Sequence, residues 1–512
     1  MKKTGIAVAV LLAAGAAATG GAWYTGNQLE AVLNKQVAKT NQQFAEQLPG
    51  TGLKLELTSF EKGFFSSEAR YRLQLGKLVE DGQGEVLLAD HIEHGPFPLS
   101  RLLKLKLVPV MAAAHTTLER NAFSEPWFVV AGEGVQPVEV HSAIGYDESA
   151  SGTLHLAALQ HSDKLKVAFS GMDVDFDVSK DAEQVNLDGR IDSLQFSDEN
   201  TGALDIRGVT FDSARKLGAS GLYLGEGHVR LDSLTLSGKD QPTLSISKIE
   251  QYDQAQESNG LLEGRVEYHL DKVSYGDKEL GSSTMTWTIG SFDVAAVKNL
   301  SDLYNAYMLR AGVEEDALAA PEFSEAEEQQ LKDGLLALLE AKPRIALEDF
   351  ALKTANGESH FSLKIGFTKP ESLDAQPEEL VKQLVSNLNV RLQLAKATIS
   401  DLISYKTVFE PGLDASAVAA EATATAAMVS EMASAMQVAK LDGETLVSTF
   451  DYANGEVNFN GQVMPVEDFA MLVGMLSSGG MGGADDAQLD DDDVESDGEY
   501  GDGLYDEEAE QD

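Results

Sequence analysis

Two histidines and a glutamate stand close together early in the chain, at His91, Glu93 and His94. Imidazole and carboxylate groups are common metal ligands, and histidines three residues apart can share one face of a helix. Here Gly95 and Pro96 follow at once and break regular structure, and the H-E-x-x-H pattern of metalloproteases is not completed. The sequence therefore predicts no metal site at this pair.

Three aspartates recur at every second position, at Asp173, Asp175 and Asp177. Carboxylates can bind calcium, but this run lacks the glycine and the distal glutamate of an EF-hand loop. Alternation of acidic with apolar residues is typical of a strand that has one solvated face. We therefore interpret the three carboxylates as the solvent side of a strand.

Motifs of nucleophilic and phosphoryl-transfer catalysis are absent from the sequence, which has neither a G-x-S-x-G elbow nor a Walker A loop. The sequence also contains no cysteine. This excludes disulfides, thiolate catalysis, cysteine-ligated zinc and iron–sulfur clusters. The sequence predicts a protein that is not an enzyme and that uses no cofactor.

The charge balance is strongly acidic, with 39 lysines and arginines against 83 aspartates and glutamates and a formal net charge of −44. Because phosphate recognition requires a basic patch, this balance argues against a nucleic-acid partner. Residues 485–512 contribute 15 acidic residues and no basic one, after a glycine-rich linker. Such a tail is typical of a disordered, solvated segment, and capture of divalent cations or of a basic partner is the alternative.

The elements that would position any site are mainly strands. From Gly152 to Val294, several runs alternate apolar with polar residues, which is the pattern of half-buried strands. The predicted fold class is α+β. It begins with an N-terminal transmembrane helix, followed by a long, mostly antiparallel, bulged β-sheet with helices packed against it.

A six-residue pattern recurs in this region, beginning at Ile191, Leu231 and Leu270, and again at Leu347. The first three copies are about forty residues apart, and each places apolar residues three and then two positions apart. A gap of three shifts the alternation by one residue, as a β-bulge does, and keeps the apolar side chains on one face. The pattern predicts either stacked two-strand units or a meander whose hairpins have similar lengths.

Two lysines precede an uncharged apolar segment near the N-terminus. Its centre, residues 5–24, has about the length that crosses a bilayer, and Trp23 and Tyr24 stand where an aromatic belt would lie. The charge asymmetry predicts a cytoplasmic N-terminus and a periplasmic bulk. We predict a single-pass inner-membrane anchor. A cleaved signal peptide is the alternative, because residues 14–18 offer small side chains.

The block H-G-P-F-P-L at 94–99 leads into a very apolar stretch up to Val110, which also contains Arg101, Lys104 and Lys106. One hypothesis is a basic amphipathic segment that touches membrane or lipid. The preferred interpretation is a buried helix that caps one end of the sheet, because long basic stems often cover apolar surface without any partner.

Helical spacing returns at 294–341, where Ser324 and Glu327 form a capping box, and at 377–404. An alanine-rich helix is predicted over 415–439. Three methionines of that helix are spaced one turn apart: Met428, Met432 and Met436. Such a stripe can mark an adaptable groove, but core packing is the preferred interpretation.

Three stretches carry a resemblance to a known family. They are the glycine-rich run 20–26 after the apolar segment, the H-G-P-F-P-L block at 94–99, and the closing hairpin around Asn454-Gly455 and Asn460-Gly461. Together they resemble the YdgA-like family of Gram-negative bacteria, up to about Met475. The resemblance implies an inner-membrane-anchored protein that faces the periplasm. It supplies no reaction and no site residues, and the acidic tail departs from the family pattern.

Five parts are predicted along the chain. They are a membrane anchor or signal peptide (1–28), an N-terminal helix, hairpin and H-G-P-F-P region (29–151), a repetitive β region (152–293), a helical and β C-terminal region (294–476) and an acidic tail (477–512).

Two functions of different classes fit these features. The first is binding or conduction of lipid in an apolar β groove, with these candidate side chains: Val174, Phe176, Leu194, Phe196, Leu234 and Leu236. The second is a non-enzymatic structural or interaction protein of the cell envelope, in which helices close the apolar face. The expected partners are the lipid bilayer through residues 5–24, a lipid ligand and an envelope protein. The first function predicts uncovered apolar side chains, and the second predicts a closed core.

Overall fold

The computed structural model describes residues 29–48, 50–79, 84–162, 165–198, 200–239, 241–311, 323–410 and 412–479. The predicted anchor with Trp23 and Tyr24 lies outside these residues, and so does the acidic tail from residue 480 onward. Among the described residues, no helix has the length and apolar character that crossing a bilayer requires. The chain divides into two compact units, residues 1–463 and 464–512.

Strands are the main elements of the first unit. Strands β1 to β9 are Lys54–Lys62, Ser66–Gln74, Glu85–His94, Ala112–Leu118, Val138–Ile144, Ala150–Leu156, Leu159–Ser162, Leu165–Phe169 and Met172–Val178. Strands β10 to β15 are Gln184–Asp198, Gly202–Leu217, Tyr223–Gly238, Leu244–Ser258, Leu261–Tyr275 and Lys278–Asp293. Strands β16 to β22 are Arg344–Lys353, Glu358–Phe367, Val385–Ala395, Lys440–Asp442, Thr445–Ala453, Glu456–Phe459 and Gln462–Pro465.

The helices are fewer and mostly shorter. Helices α1 to α5 are Leu29–Gln47, Leu99–Leu103, Glu125–Ala131, Val294–Ala311 and Glu325–Glu340. Helices α6 to α10 are Pro377–Leu384, Lys396–Ser404, Lys406–Phe409, Ala415–Ala435 and Val466–Gly479, of which α10 belongs to the second unit. The predicted capping box is confirmed, since Ser324 Oγ accepts from the Glu327 amide and the Glu327 carboxylate accepts from the Ser324 amide.

The strands pair almost in chain order, and the described pairs are antiparallel. One run joins β1 to β6 and continues through β9 and β10 to β18 and then β20. The short hairpin β7–β8 pairs with the second half of β10, while β9 pairs with its first half. Short connections allow only antiparallel neighbours, so the predicted long antiparallel sheet is confirmed.

The recurring six-residue pattern lies on every second strand of this meander. Its copies begin on β10, β12 and β14, at Ile191, Leu231 and Leu270. The period of about forty residues is therefore the length of one hairpin, made of two strands of 15 or 16 residues. The two interpretations of the repeat describe the same object, a meander built from similar hairpins.

Where the six-residue pattern places apolar residues three apart, one residue on each long strand has no cross-strand partner. These residues form a line across the sheet: Asp192, Gly208, Asp232 and Lys248. Gly208 and Lys248 adopt positive φ, 63° and 50°, and a Cβ on Gly208 would stand 2.1 Å from an Asp232 carboxylate oxygen. Neighbouring strands share the irregularity, so pairing resumes in the same register. Among the described pairs of β10 to β15, register shifts occur only between β14 and β15, at Leu262/Gly264 and on either side of Val273.

The core lies where α1 packs on strands β1 to β6 and β9. Its most deeply buried side chains include Leu33, Phe44, Leu55, Tyr71, Leu73, Leu88, Ile92, Val140 and Leu154. Asn41 of α1 bridges to β1, because its side chain accepts from the Leu55 amide at 2.7 Å and donates to the Leu55 carbonyl at 2.9 Å. The predicted N-terminal helix is thereby confirmed as α1 and forms part of the folded core.

The prediction of continuous helix over 377–404 is wrong in its middle. Residues Val385–Ala395 form strand β18, which pairs with β17 on one side and β20 on the other. Leu388, Val390 and Leu392 alternate with polar residues, and this period of two fits a strand between two partners better than a helix. Helices α6 and α7 remain on either side of β18.

The prediction that the methionines of α9 are core is also wrong. Met428, Met432 and Met436, the residue that caps the end of α9, are exposed, and the opposite face of α9 is buried. That buried face consists of Val418, Ala422, Ala426 and Ser430 and packs on α7. Small residues at every fourth position allow close approach of two helices, so the bulkier methionines are left on the outer side.

Candidate functional site

An apolar strip runs across one face of strands β8 and β10 to β14. Directly paired residues lie on the same face of a sheet, and residues two apart on a strand do so as well. The first row is Phe169, Leu194, Ile206, Leu234, Ile246 and Val273. The second row is Val167, Phe196, Leu204, Leu236, Leu244 and Tyr275. Six strands spaced about 4.8 Å apart make the strip roughly 24 Å long.

None of the twelve side chains of the apolar strip is buried, and Leu236 is 49% exposed. Phe409 of α8 contacts the end of the strip, with its ring centroid 5.0 Å from that of Tyr275. The rest of the strip keeps substantial contact with solvent. Contiguous apolar surface of this extent on a folded protein marks a place where another molecule binds.

The six side chains proposed from sequence for a groove do not all lie in the strip. Leu194, Phe196, Leu234 and Leu236 do. Val174 is instead buried in the core, and the Phe176 ring lies on Gly152 of β6, where a Cβ would stand 2.6 Å from it. The difference arises because β9 pairs with β6, so its apolar face joins the α1-covered core before the sheet reaches the strip.

A second exposed surface surrounds α2, and the prediction of a buried capping helix there is wrong. We call it the apolar–cationic surface. Its apolar members are Phe64, Phe65, Phe97, Leu99, Leu103, Leu105, Leu107 and Val108, all exposed. Its cations are Arg101, Lys104 and Lys106. Phe64 is 88% and Leu105 82% exposed, far beyond what a capping helix would show.

The H-G-P-F-P block fixes the base of this surface. The Gly95 amide donates to the Met111 carbonyl and the Val110 amide donates to the Pro96 carbonyl, each at 3.1 Å. The segment between β3 and β4 therefore leaves the sheet and returns to it at the same place. The Glu93 carboxylate accepts from the Ser100 amide at the start of α2. Proline prevents the connecting residues from extending β3. The segment is thus held at its base while its apolar side chains face solvent.

The pair His91 and His94 is divided between the two faces of β3. His91 Nδ1 contacts a Glu68 carboxylate oxygen on one face, while His94 Nε2 lies 2.9 Å from Ser67 Oγ on the other. Side chains on opposite faces of a strand cannot ligate one ion. Two of the three aspartates of β9 contact side chains of β6, since Asp175 accepts from Thr153 and Asp173 lies 2.7 Å from His155.

A different set of side chains comes together beneath α2. His91 pairs with His115 and His115 with His141, so three imidazoles form a row across β3, β4 and β5. The rings of His115 and His141 stack with centroids 4.4 Å apart. Glu139 Oε2 lies 3.8 Å from His115 Nε2 and 4.0 Å from His141 Nε2. Ligand atoms this close could hold a metal ion such as zinc after small side-chain movements.

Sequence reasoning did not find this set, because its members are 24 and 26 residues apart in the chain. The i, i+2 spacing of Glu139 and His141 in a strand was a visible signal. The pairing of β4 with β5 that brings His115 beside them was not.

Three cations line the cavity over the imidazole row. The cavity has a volume of about 430 Å³, and Arg101, Lys104 and Lys106 form part of its wall. Two carboxylates, Glu93 and Asp175, also line it and accept hydrogen bonds within the protein, so the cations are in excess. Burial lowers the pKa of His141, and the positive charges of His115 and Lys104 lower it further. Neighbouring cations oppose a bound divalent metal and favour an anion. The electrostatics of the cavity therefore suit a negatively charged ligand.

A larger cavity of about 700 Å³ lies on strands β13 to β18. Three of its four cations are paired within the protein, Lys364 with Glu348, Arg344 with Glu263 and Arg265 with Glu267, while Lys342 has no ion pair among the described residues. Ion pairs of this kind leave little unbalanced charge for a ligand. We therefore regard the smaller cavity beneath α2 as the better candidate site.

Asp90 is a carboxyl group buried in the core on the opposite face of β3. Thr116 Oγ1 donates to Asp90 Oδ1 at 2.9 Å, and in the part of the chain that the structure describes, Oδ2 has no hydrogen-bond partner. Burial raises the pKa of Asp90 to about 7, against the smaller opposing effect of the Thr116 hydrogen bond. The carboxyl group therefore exchanges its proton near pH 7, about three pH units above an ordinary aspartate.

Comparison with known proteins places this architecture in a family. The chain is 28% identical to the protein YdgA of Escherichia coli K12 over 492 residues, which cover 93% of this chain and 97% of YdgA. It is 25% identical to YihF of the same bacterium over 484 residues, which cover 92% and 98%. No solved structure matches. A family model described as "bacterial protein of unknown function (DUF945)" matches residues 1–467. The resemblance predicted from the H-G-P-F-P block is thereby confirmed, and the chain belongs to this family of YdgA-like bacterial proteins.

Proposed function

We propose that the protein binds lipid through the apolar strip, as a membrane-anchored periplasmic protein without enzymatic activity. The observation that carries this proposal is the partial exposure of twelve apolar side chains in two continuous cross-strand rows. The strip is roughly 24 Å long. The acyl chains of one bilayer leaflet span about 15 Å. A single acyl chain therefore fits along the strip.

The energetics favour an apolar ligand. Burying the remaining surface of each partly exposed side chain contributes about 1 kcal/mol, and the whole strip therefore on the order of 10 kcal/mol before the cost of ordering the ligand. The two rows contain no charged side chain, so no ion has to be desolvated when a hydrocarbon chain covers them. The predicted anchor at residues 5–24 would keep this surface beside a bilayer, where lipid is abundant.

The second candidate is an interaction protein of the cell envelope that uses the same strip to dock a partner protein. The observation that favours it is also the exposure of the strip, since large apolar patches mark protein interfaces too. The two functions can be distinguished by whether lipid or a protein remains bound to the purified chain.

Native mass spectrometry of the full chain, released from detergent, tests the proposal. Phospholipid or fatty acid should remain bound to the unaltered chain. Leu236→Asp should lower its occupancy at least tenfold, because a carboxylate inside the apolar contact must be desolvated or protonated. Leu441→Asp is the matched control, since Leu441 on β19 is 46% exposed and Leu236 is 49% exposed. Absence of lipid from the unaltered chain, or equal loss in both variants, would exclude lipid binding on the strip.

A further inference from the structure

We propose that the cavity beneath α2 binds the phosphate of an anionic phospholipid headgroup, while the apolar side chains around it rest in the interface of the bilayer. This site is on a different surface from the apolar strip. The inference therefore does not rest on the proposed function, and the two can fail separately.

The first support is local charge. The chain as a whole carries a net charge of −44, yet Arg101, Lys104 and Lys106 are gathered within six residues at one cavity. Within the described residues, no carboxylate forms an ion pair with Lys104 or Lys106. Both lysines act electrostatically on His141 at the floor of the cavity. Cations left unpaired in an acidic protein are available to an external anion.

The second support is a pair of nitrogen atoms that lack partners. Arg101 Nε and His115 Nε2 are both shielded from solvent, and neither has a hydrogen-bond partner in the described part of the chain. Both residues line the cavity. A buried nitrogen without a partner costs free energy, and a phosphate oxygen would satisfy it. The cavity volume of about 430 Å³ is within the range of small-molecule sites.

The third support is the set of apolar side chains of the apolar–cationic surface, because only a lipid, and not free phosphate, would contact them. Phe64, Phe97, Leu103, Leu105 and Val108 are all more than half exposed around the cationic cavity. Phe65 is held beside this segment, because its carbonyl accepts a hydrogen bond from the His94 amide at 2.8 Å. Free phosphate would leave these side chains in water, whereas a bilayer interface would bury them. Interleaved basic and large apolar residues are the pattern of segments that lie in a membrane surface.

The lack of cysteine in the natural chain makes the test direct. A single cysteine is introduced as Leu105→Cys in the full chain, labelled with an environment-sensitive fluorophore and inserted into vesicles that contain lipids with quenchers on their acyl chains. Met432→Cys on α9 is the matched control, because Met432 is also exposed, at 51%. The vesicles contain phosphatidylcholine with or without phosphatidylglycerol.

We expect quenching of the Leu105→Cys probe, not of the Met432→Cys probe, in vesicles that contain phosphatidylglycerol. Lys104→Gln with Lys106→Gln should weaken the apparent association about thirty-fold, since each cation near an anionic surface contributes about 1 kcal/mol. Both lysines are exposed, so the double variant should keep the melting temperature of the unaltered chain. Leu236→Asp on the strip should not change the quenching.

Three outcomes would overturn the proposal. Equal quenching of both probes would show only general proximity to the bilayer. A response of the Leu105→Cys probe to inorganic phosphate in detergent, without a response to phosphatidylglycerol, would assign the cavity to free phosphate. A response to zinc alone, abolished by His115→Ala, would assign the imidazole row to a metal.

Discussion

Replacing Asp90 with asparagine is expected to raise the free energy of unfolding by about 4 kcal/mol at pH 8 and to change it little near pH 4. The pKa of this buried carboxyl group is about 7 in the folded chain, against an ordinary value of 3.8. The folded chain therefore keeps a proton that the unfolded chain releases. Stability decreases as pH rises from about 4 to about 7 and then levels off. Each pH unit in this window costs about 1.4 kcal/mol, and an amide removes that cost.

Urea unfolding of both proteins between pH 4 and pH 9 measures this effect. The difference between the two unfolding free energies should grow through the window and become constant above it. Thr116→Val provides a second variant. Thr116 donates to the carboxyl oxygen and lowers its pKa, so the valine variant should lose more stability than the natural chain as pH rises. Parallel pH profiles for the natural chain and Asp90→Asn would show that Asp90 ionises normally.

Replacing Phe44 with alanine is expected to lower the free energy of unfolding by about 3–5 kcal/mol, the usual cost of removing a buried phenylalanine. Phe44 of α1 is 2% exposed and belongs to the core that α1 forms with the sheet. The cavity left behind cannot collapse easily, because strands on the other side are held by their own hydrogen bonds. The loss should appear in the unfolding midpoint without a change in the helix content of the folded chain.

Phe64→Ala is the matched control for this change. The same atoms are removed, but Phe64 is 88% exposed in the turn between β1 and β2, so stability should change by less than about 0.5 kcal/mol. The effect of the two variants on bilayer contact should be the opposite of their effect on stability. Phe64→Ala should weaken the bilayer contact of the apolar–cationic surface while the fold stays intact. Equal destabilisation by the two variants would mean that α1 does not pack on the sheet as described.

Local spacing was enough to predict the elements that repeat. The alternation of apolar and polar residues predicted the antiparallel meander, and the recurrence at Ile191, Leu231 and Leu270 predicted its hairpins. The Ser324–Glu327 capping box and the helix from Leu29 were also legible, because the interactions that form them lie within a few residues. Four of the six proposed groove side chains lie in the apolar strip for the same reason.

Only the tertiary structure decided which apolar faces are covered. Val174 has the same alternating pattern as Leu194, yet Val174 is buried in the core that α1 forms with the first strands, whereas the strip stays partly open. The methionines of α9 and the leucines around α2 are exposed because other residues occupy the contacts with the sheet and with α7. The approach of His115 to Glu139 and His141 likewise depends on the pairing of β4 with β5. Periodicity within a segment indicates which side chains share a face, but burial of that face depends on segments distant in the chain.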